Sequence, residues 1–107
     1  MSEHDDCCGP MVAAFLRDYS VSWDVVSAGR TPAPSCPPLM VLAMRECLID
    51  LAGYRPRPLD SLDVSMFDVV YECDDTPCPG DMDACRVLRD RVKNESFIFY
   101  KQSLSSM

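Results

Sequence analysis

Cysteine is the residue type that offers this 107-residue chain the most chemistry, because seven cysteines are present. Thiols can bind soft metals, attack electrophiles or exchange disulfides. Seven cannot all pair within one chain, and the acidic N-terminus lacks the layout of a secretory signal. We therefore expect a reducing, cytoplasmic compartment, where a full disulfide framework is disfavoured and thiols, a metal site or a transient redox bond remain. The cysteines are Cys7, Cys8, Cys36, Cys47, Cys73, Cys78 and Cys85.

Composition indicates one folded domain, and it argues against a nucleic-acid-binding protein and against a membrane-spanning one. The chain is 48% hydrophobic and 25% charged, which is enough apolar material for a core. We expect residues 1–107 to form a single domain with flexible ends at 1–8 and 102–107. The net charge of −7, without a basic cluster, argues against binding nucleic acid, and no apolar run approaches the length of a membrane span.

Hydrophobic spacing predicts three helices. The first covers residues 10–19 and the second, led by prolines, covers residues 38–51 with an apolar stripe along one face. A third helix is predicted from about residue 82. Within it, residues 97–100 fit either a helix or a short strand, and the pattern leaves that choice open.

Two segments are typical of strands. Residues 23–27 precede a glycine, and residues 67–73 are rich in β-branched and aromatic side chains before a turn at 74–80. Helices and strands thus alternate along the chain. This order predicts an α/β fold, with a small parallel sheet flanked by helices.

Four short motifs follow one another in an order known from one protein family. Residues 11–15, Met-Val-Ala-Ala-Phe, are similar to the "M-A-E-A-F" of that family's first helix, and residues 27–29 to its "S-A-G" strand end. Residues 43–50 are similar to its "A-M-x-E-x-x-I-D", and residues 68–73 to its "D-x-V-V-x-x-C", followed by Cys78-Pro79. Together they resemble the low-molecular-weight protein tyrosine phosphatase superfamily, closest to the thioredoxin-coupled arsenate reductases.

The resemblance assigns roles to the cysteines. It implies that Cys73 and Cys78 form a redox pair that relays oxidising equivalents, with Cys7 or Cys8 as a substitute partner in the oxyanion- and thiol-binding position. The implied mechanism is thiolate attack followed by disulfide exchange, resolved by a thioredoxin-like reductant. Arsenate or arsenite is the implied substrate, and no cofactor is expected.

The chain departs from that family at its catalytic loop, C-x5-R, which has no counterpart before the first helix. A gapless alignment places Ser2 at the nucleophile position and Cys8 at the arginine position. Glu3, Asp5 and Asp6 would repel an oxyanion there. We therefore expect an N-terminally shortened domain, and the sequence leaves open whether it is an enzyme or a pseudoenzyme.

Two other functions remain open. One is non-catalytic binding of As(III) or a soft metal by thiols of Cys7, Cys8, Cys73 and Cys78, in a chain with no other metal-ligand pattern. The other is an interaction module that forms a homodimer through an exposed sheet edge. For the remaining cysteines, we expect Cys47 and Cys85 to pack in the core, and Cys36 stays unassigned in a proline-rich loop.

Overall fold

A computed structural model describes residues 1–20, 22–67, 69–73 and 77–105, and α-helices are its main regular elements. The predicted helix at the end of the chain extends through residues 97–100, which are helical rather than a strand. None of the helices in the described ranges is long and apolar enough to cross a membrane. The α-helices are α1 (Cys8–Tyr19), α2 (Pro38–Arg45) and α3 (Met82–Ser105), and two short 3-10 helices cover Leu59–Ser61 and Val64–Met66.

The core lies where α3 packs against α1 and α2. Helix α1 is buried along most of its length, with Phe15 and Met11 each 1% exposed. Helix α3 contributes a stripe that includes Leu88 and Val92, spaced for one helical face. Asp81 immediately precedes α3, and its carboxylate accepts hydrogen bonds from two backbone N–H groups of the first turn.

Helix α2 is shorter than the prediction of residues 38–51. It ends after Arg45 because Leu48 adopts a left-handed backbone conformation, with φ of 63°. The N–H of Leu48 donates to the carbonyl of Arg45 (2.9 Å), and that of Ile49 donates to the carbonyl of Met44 (3.1 Å). This pair of bonds is a Schellman ending. Glycine usually occupies the left-handed position, so a helix that ends at leucine is not predictable from residue type.

The predicted parallel sheet flanked by helices is wrong for the described part of the chain. Two isolated parallel bridges, Ser2 with Gly29 and Gly29 with Pro58, are the β-pairings found there. The segments at 23–27 and 67–73 are not assigned as strands, and Asp68 lies outside the described residues, as do residues 74–76 of the predicted turn. Beside the bridge at Pro58, the N–H of Arg57 donates to the carboxylate of Asp5 (2.8 Å) instead of extending the pairing.

The N-terminal segment, for which the sequence predicts flexibility, lies between two extended segments. On one side, the N–H of Ser2 donates to the carbonyl of Ala28 (3.2 Å) and the N–H of Arg30 donates to the carbonyl of Ser2 (3.1 Å). On the other side, the N–H of Cys73 donates to the carbonyl of Met1 (2.8 Å). The residues before α1 are thereby brought next to Cys73.

Candidate redox site

Cys7 and Cys78 are joined by a disulfide across a sequence separation of 71 residues, with their Cα atoms 5.9 Å apart. Cys7 is the N-cap residue of α1, and Cys78 lies in the short segment Pro77–Gly80 that leads into α3. The bond therefore links the N-terminus of α1 to the segment that precedes α3. Of the four cysteines with predicted roles, these two are the ones that the structure joins.

Cys73 and Cys8 are the other two cysteines with predicted roles, and neither is part of that bond. Both carry thiols, with Cys73 6% exposed and Cys8, the first residue of α1, 9% exposed. They belong to the same buried cluster as Cys7, and Cys78 packs against that cluster. Cys78 is thus bonded to Cys7, the substitute partner of the sequence prediction. Exchange between Cys78 and Cys73 stays a prediction.

The residues that the structure describes do not assemble a metal site. Among the described residues, no group of three or more histidine, cysteine, aspartate or glutamate side chains is placed to hold a metal ion. In particular, the sulfurs of Cys7 and Cys78 are committed to their disulfide. The thiol site predicted from Cys7, Cys8, Cys73 and Cys78 would need that bond to be reduced first.

Two other cysteines are poorly suited to thiolate chemistry. Burial, together with the negative charges of Asp6 and Asp5, raises the pKa of the Cys36 thiol to about 11. Burial first, and the charge of Asp81 second, also raises the pKa of Cys85, which packs in the core as expected. Both thiols therefore stay protonated near neutral pH and are weak nucleophiles. Cys47, the other predicted core cysteine, is half-buried.

The loop before α1 is fixed by a carboxylate that sequence reasoning treated only as a repulsive charge. Asp5 is completely buried and adopts a left-handed backbone conformation, with φ of 53°. Its carboxylate accepts hydrogen bonds from the hydroxyls of Ser27 and Tyr54 and from the backbone N–H of Arg57 (2.8 Å). Burial and the hydrogen bond to Asp5 raise the pKa of the Tyr54 hydroxyl. An aspartate before a helix is common in sequences, so its presence at position 5 does not predict these hydrogen bonds.

The backbone packs tightly where this loop meets Gly29. A Cβ atom at Gly29 would lie 2.7 Å from the backbone nitrogen of Asp5 and 2.8 Å from the carbonyl oxygen of Glu3. Such distances are too short for any side chain, so glycine is required by close approach. The hydroxyl of Ser2, buried in the same place, accepts a hydrogen bond from the N–H of Asp5 (3.1 Å).

The loop's composition decides what chemistry the site can do. Residues 2–8 contain no arginine or lysine that would hold an oxyanion, and they include Glu3, Asp5 and Asp6. Ser2, at the aligned nucleophile position, is hydrogen-bonded within the loop. The reactive bond close to this loop is the Cys7–Cys78 disulfide. The arrangement therefore favours sulfur redox chemistry over phosphoryl chemistry.

A cavity of about 430 Å³ lies on another side of α1. Its walls are largely apolar and include Cys73, close to the N-terminal segment. Residues of α1 and of the extended segments that the sequence predicts to be strands both line the cavity. Other residues of the wall are Val12, Leu16, Trp23, Tyr71 and Phe99.

Comparison with known proteins supports the fold. No family model matches the chain, and no curated protein matches it. The crystal structure of an arsenate reductase from Archaeoglobus fulgidus DSM 4304 matches with a TM-score of 0.77, covering 94% of this chain and 95% of that chain at 18% identity. The chain therefore shares the fold of an arsenate reductase, as the motifs indicate. Membership of the low-molecular-weight phosphatase superfamily stays a prediction.

Proposed function

We propose that this chain is a thiol–disulfide redox protein built on an arsenate-reductase-like fold. The single observation that carries the proposal is the disulfide between Cys7 and Cys78, which connects the first helix to a partly exposed segment. A disulfide with an accessible sulfur can be reduced by an incoming dithiol. The shared fold with an arsenate reductase supports the same class of chemistry.

The proposed reaction is reduction of this disulfide by a dithiol protein of the thioredoxin class. One thiolate of the dithiol attacks a sulfur of the Cys7–Cys78 bond and forms a mixed disulfide. Its second thiolate then attacks the mixed disulfide, so that the dithiol partner leaves oxidised. This chain gains two electrons and two protons, and both cysteines become thiols.

The reduced chain then needs an oxidant, and arsenate is the first to test because the structural neighbour is an arsenate reductase. Two thiols and arsenate would give a disulfide, arsenite and water. The acidic residues Glu3, Asp5 and Asp6 oppose arsenate binding at the loop before α1. Disulfide reduction and arsenate reduction are therefore separate parts of the proposal, and the experiment measures them separately.

The experiment follows NADPH oxidation at 340 nm with thioredoxin, thioredoxin reductase and the oxidised chain. We expect a burst of one NADPH for each Cys7–Cys78 bond. Adding arsenate then gives sustained oxidation if arsenate is the oxidant. The Cys7→Ser and Cys78→Ser variants should lose both signals, whereas Cys47→Ser, a matched change outside the disulfide, should retain them.

Absence of the burst in the wild-type chain would contradict the proposed function. A burst without sustained oxidation would remove arsenate as the substrate and leave the disulfide exchange intact. An equal burst in Cys7→Ser would show that other cysteines accept the electrons.

A further inference from the structure

We propose that the cavity beside α1 binds an extended, apolar peptide segment of another protein, which enters between residues 23–28 and residues 69–73 and pairs with their backbones. The inference does not depend on the proposed function, because neither Cys7 nor Cys78 belongs to the cavity wall. Its basis is the way in which the first two residues of the chain are held between the same two segments.

Met1 and Ser2 pair with both segments at once. On one side, Ser2 is bridged in parallel to Gly29. On the other side, the nitrogen of Met1 donates to the carbonyl of Tyr71 (2.5 Å), and the N–H of Cys73 donates to the carbonyl of Met1 (2.8 Å). This second pair of bonds also has the pattern of parallel neighbours. The two segments are therefore two strand spacings apart at this point, about 9.5 Å, a gap that one extended backbone fills.

The cavity of about 430 Å³ continues this gap. Its wall includes Met1, residues 22–28 of one segment and residues 69–71 of the other. Because the pairings are parallel and these residues precede the paired ones, the cavity lies on the N-terminal side of Met1. Apolar side chains from two other elements complete the wall, Val12 and Leu16 of α1 with Leu59 and Leu62 of the segment that contains the 3-10 helices. A peptide in this gap would run parallel to both segments and end beside Met1.

The backbone of residues 24–28 presents hydrogen-bonding groups to the gap. In an extended segment, the N–H and C=O groups of every second residue point to the same side. The carbonyl of Ala28 accepts a bond from the start of the chain, so the backbone groups of Val26 and Asp24 face that side as well. The carbonyl of Val25, which falls on the alternate set, accepts a bond from the side chain of Arg17 (2.8 Å) instead. An inserted peptide would therefore pair with residues 24, 26 and 28.

The side chains of the wall favour an apolar occupant with a positive charge at one end. Val69 and Val70 are 40% and 43% exposed, and Val25 and Val26 are half-buried. Covering these side chains removes apolar surface from water, and a parallel strand that is buried on both faces is apolar throughout. Asp24 is exposed and belongs to the wall. Its carboxylate would attract a lysine at the N-terminal end of the peptide, the end that lies away from Met1.

This mode of binding divides the recognition between two parts of the peptide. When a peptide adds as a strand, its main-chain hydrogen bonds supply affinity, and the pockets for its side chains supply specificity. The experiment must therefore separate backbone pairing from apolar contact. A pair of peptides with identical side chains, one of which has lost two N–H groups, makes that separation.

The experiment titrates the chain with acetyl-Lys-Lys-Val-Ile-Val-Val-amide. Trp23 lies in the cavity wall and is the one tryptophan of the chain, so its fluorescence reports binding. We expect a saturable change in emission, together with slower hydrogen–deuterium exchange of the backbone at residues 24–28. The control peptide carries N-methyl groups on its isoleucine and its last valine. It should bind about thirtyfold more weakly, because the hydrogen bonds to the carbonyls of residues 24 and 26 are lost.

Equal affinities for the two peptides would show that the cavity accepts apolar groups without backbone pairing, and this result would overturn the proposal. Absence of saturable binding by the first peptide would overturn it as well. Neither result affects the thioredoxin-dependent burst, which tests the proposed function separately.

A matched pair of variants locates the binding site on the chain. Val69→Asn places a polar group in the cavity wall and should weaken binding of the first peptide about tenfold. Val87→Asn makes the same change on α3, where Val87 is 71% exposed and is not part of the wall, and should leave the affinity unchanged. Circular dichroism checks that both variants keep their helices. Wild-type affinity in a folded Val69→Asn protein would contradict binding at this cavity.

Discussion

The carboxylate of Asp5 accepts a hydrogen bond from the backbone N–H of Arg57 at 2.8 Å, although 52 residues separate them in sequence. The same carboxylate also accepts hydrogen bonds from Ser27 and Tyr54. One buried side chain therefore holds two distant segments, around residue 27 and at residues 54–57, against the loop before α1. The position of Cys7, two residues later, depends on this anchor.

The Asp5→Ala variant should lower the free energy of unfolding by about 2–4 kcal/mol, because buried donors lose their acceptor and alanine disfavours a positive φ. Asp5→Asn should stay within about 1 kcal/mol of the wild type, since its amide can accept from Arg57 and donate to Ser27. Urea unfolding measures both. Equal losses in the two variants would argue against the hydrogen bonds as the cause, and Asp6→Ala is the control in the same loop.

The requirement for glycine at position 29 can be tested by comparing an alanine substitution there with one at Gly53, where there is open space. A Cβ at Gly29 would lie 2.7 Å from the nitrogen of Asp5, whereas a Cβ at Gly53 would meet nothing within 4 Å. Gly29→Ala should therefore cost about 2–3 kcal/mol of unfolding free energy, while Gly53→Ala should be neutral or slightly stabilising. Thermal unfolding of both variants gives the comparison. A Gly29→Ala protein as stable as Gly53→Ala would disprove the close approach.

Reduction should destabilise the fold. A disulfide that closes a loop of 71 residues restricts the unfolded chain and contributes about 2–4 kcal/mol. Urea unfolding with and without dithiothreitol should differ by that amount in the wild type. The Cys7→Ser/Cys78→Ser double variant should have the unfolding free energy of the reduced wild type, and dithiothreitol should not change it. A redox effect of equal size in the double variant would mean that another bond is responsible.

Acid should weaken the contact between α2 and α3. Hydrogen bonds from Arg86 and Arg89 lower the pKa of Glu46 from 4.5 to about 2. Because this pKa is lowered on folding, the stabilisation is complete above pH 4.5 and is lost as pH falls towards 2. Unfolding measured across this range should show the loss, and Glu46→Gln should show a smaller one. Identical pH profiles would exclude Glu46 as the source.

An unpaired hydroxyl in the core offers a stabilising change. Ser96 is 0% exposed, and its Oγ has no hydrogen-bond partner among the described residues. Ser96→Ala should raise the free energy of unfolding by about 1 kcal/mol, because no buried polar group then remains unsatisfied. Ser105→Ala, at an exposed position of α3, is the control. Destabilisation by Ser96→Ala would point to a hydrogen bond that forms in solution.

The helices were predictable from sequence where apolar spacing alone determines them. The predicted helix at 10–19 corresponds to α1, which begins two residues earlier. The end of α2 was not predictable, because Leu48 takes a conformation that leucine disfavours. The sheet failed for a different reason. Strand propensity at 67–73 describes the side chains, but a ladder also needs available backbone N–H groups, and the N–H of Arg57, beside the bridge at Pro58, donates to the Asp5 carboxylate.

The candidate site was predictable in residue type and only partly in pairing. The motif order singled out Cys78, and Cys7 entered as a substitute partner, but spacing cannot show which thiol a folded chain brings to Cys78. Asp5 was missed as a structural anchor. Its partners come from two segments far from it in sequence, Ser27 from one and Tyr54 and Arg57 from the other, and such a network is visible only once the chain is folded.

The bond between Cys7 and Cys78 also changes how the chain carries mechanical load. It closes a covalent ring that contains α1 and α2, while α3 lies outside the ring. When the two ends of the chain are pulled apart, the force is carried by the disulfide, and residues 8–77 bear none of it. Reduction would release about 250 Å of hidden contour length from the 71-residue separation. The oxidised chain thus reaches a shorter maximum extension when it is unfolded under tension than the reduced chain does.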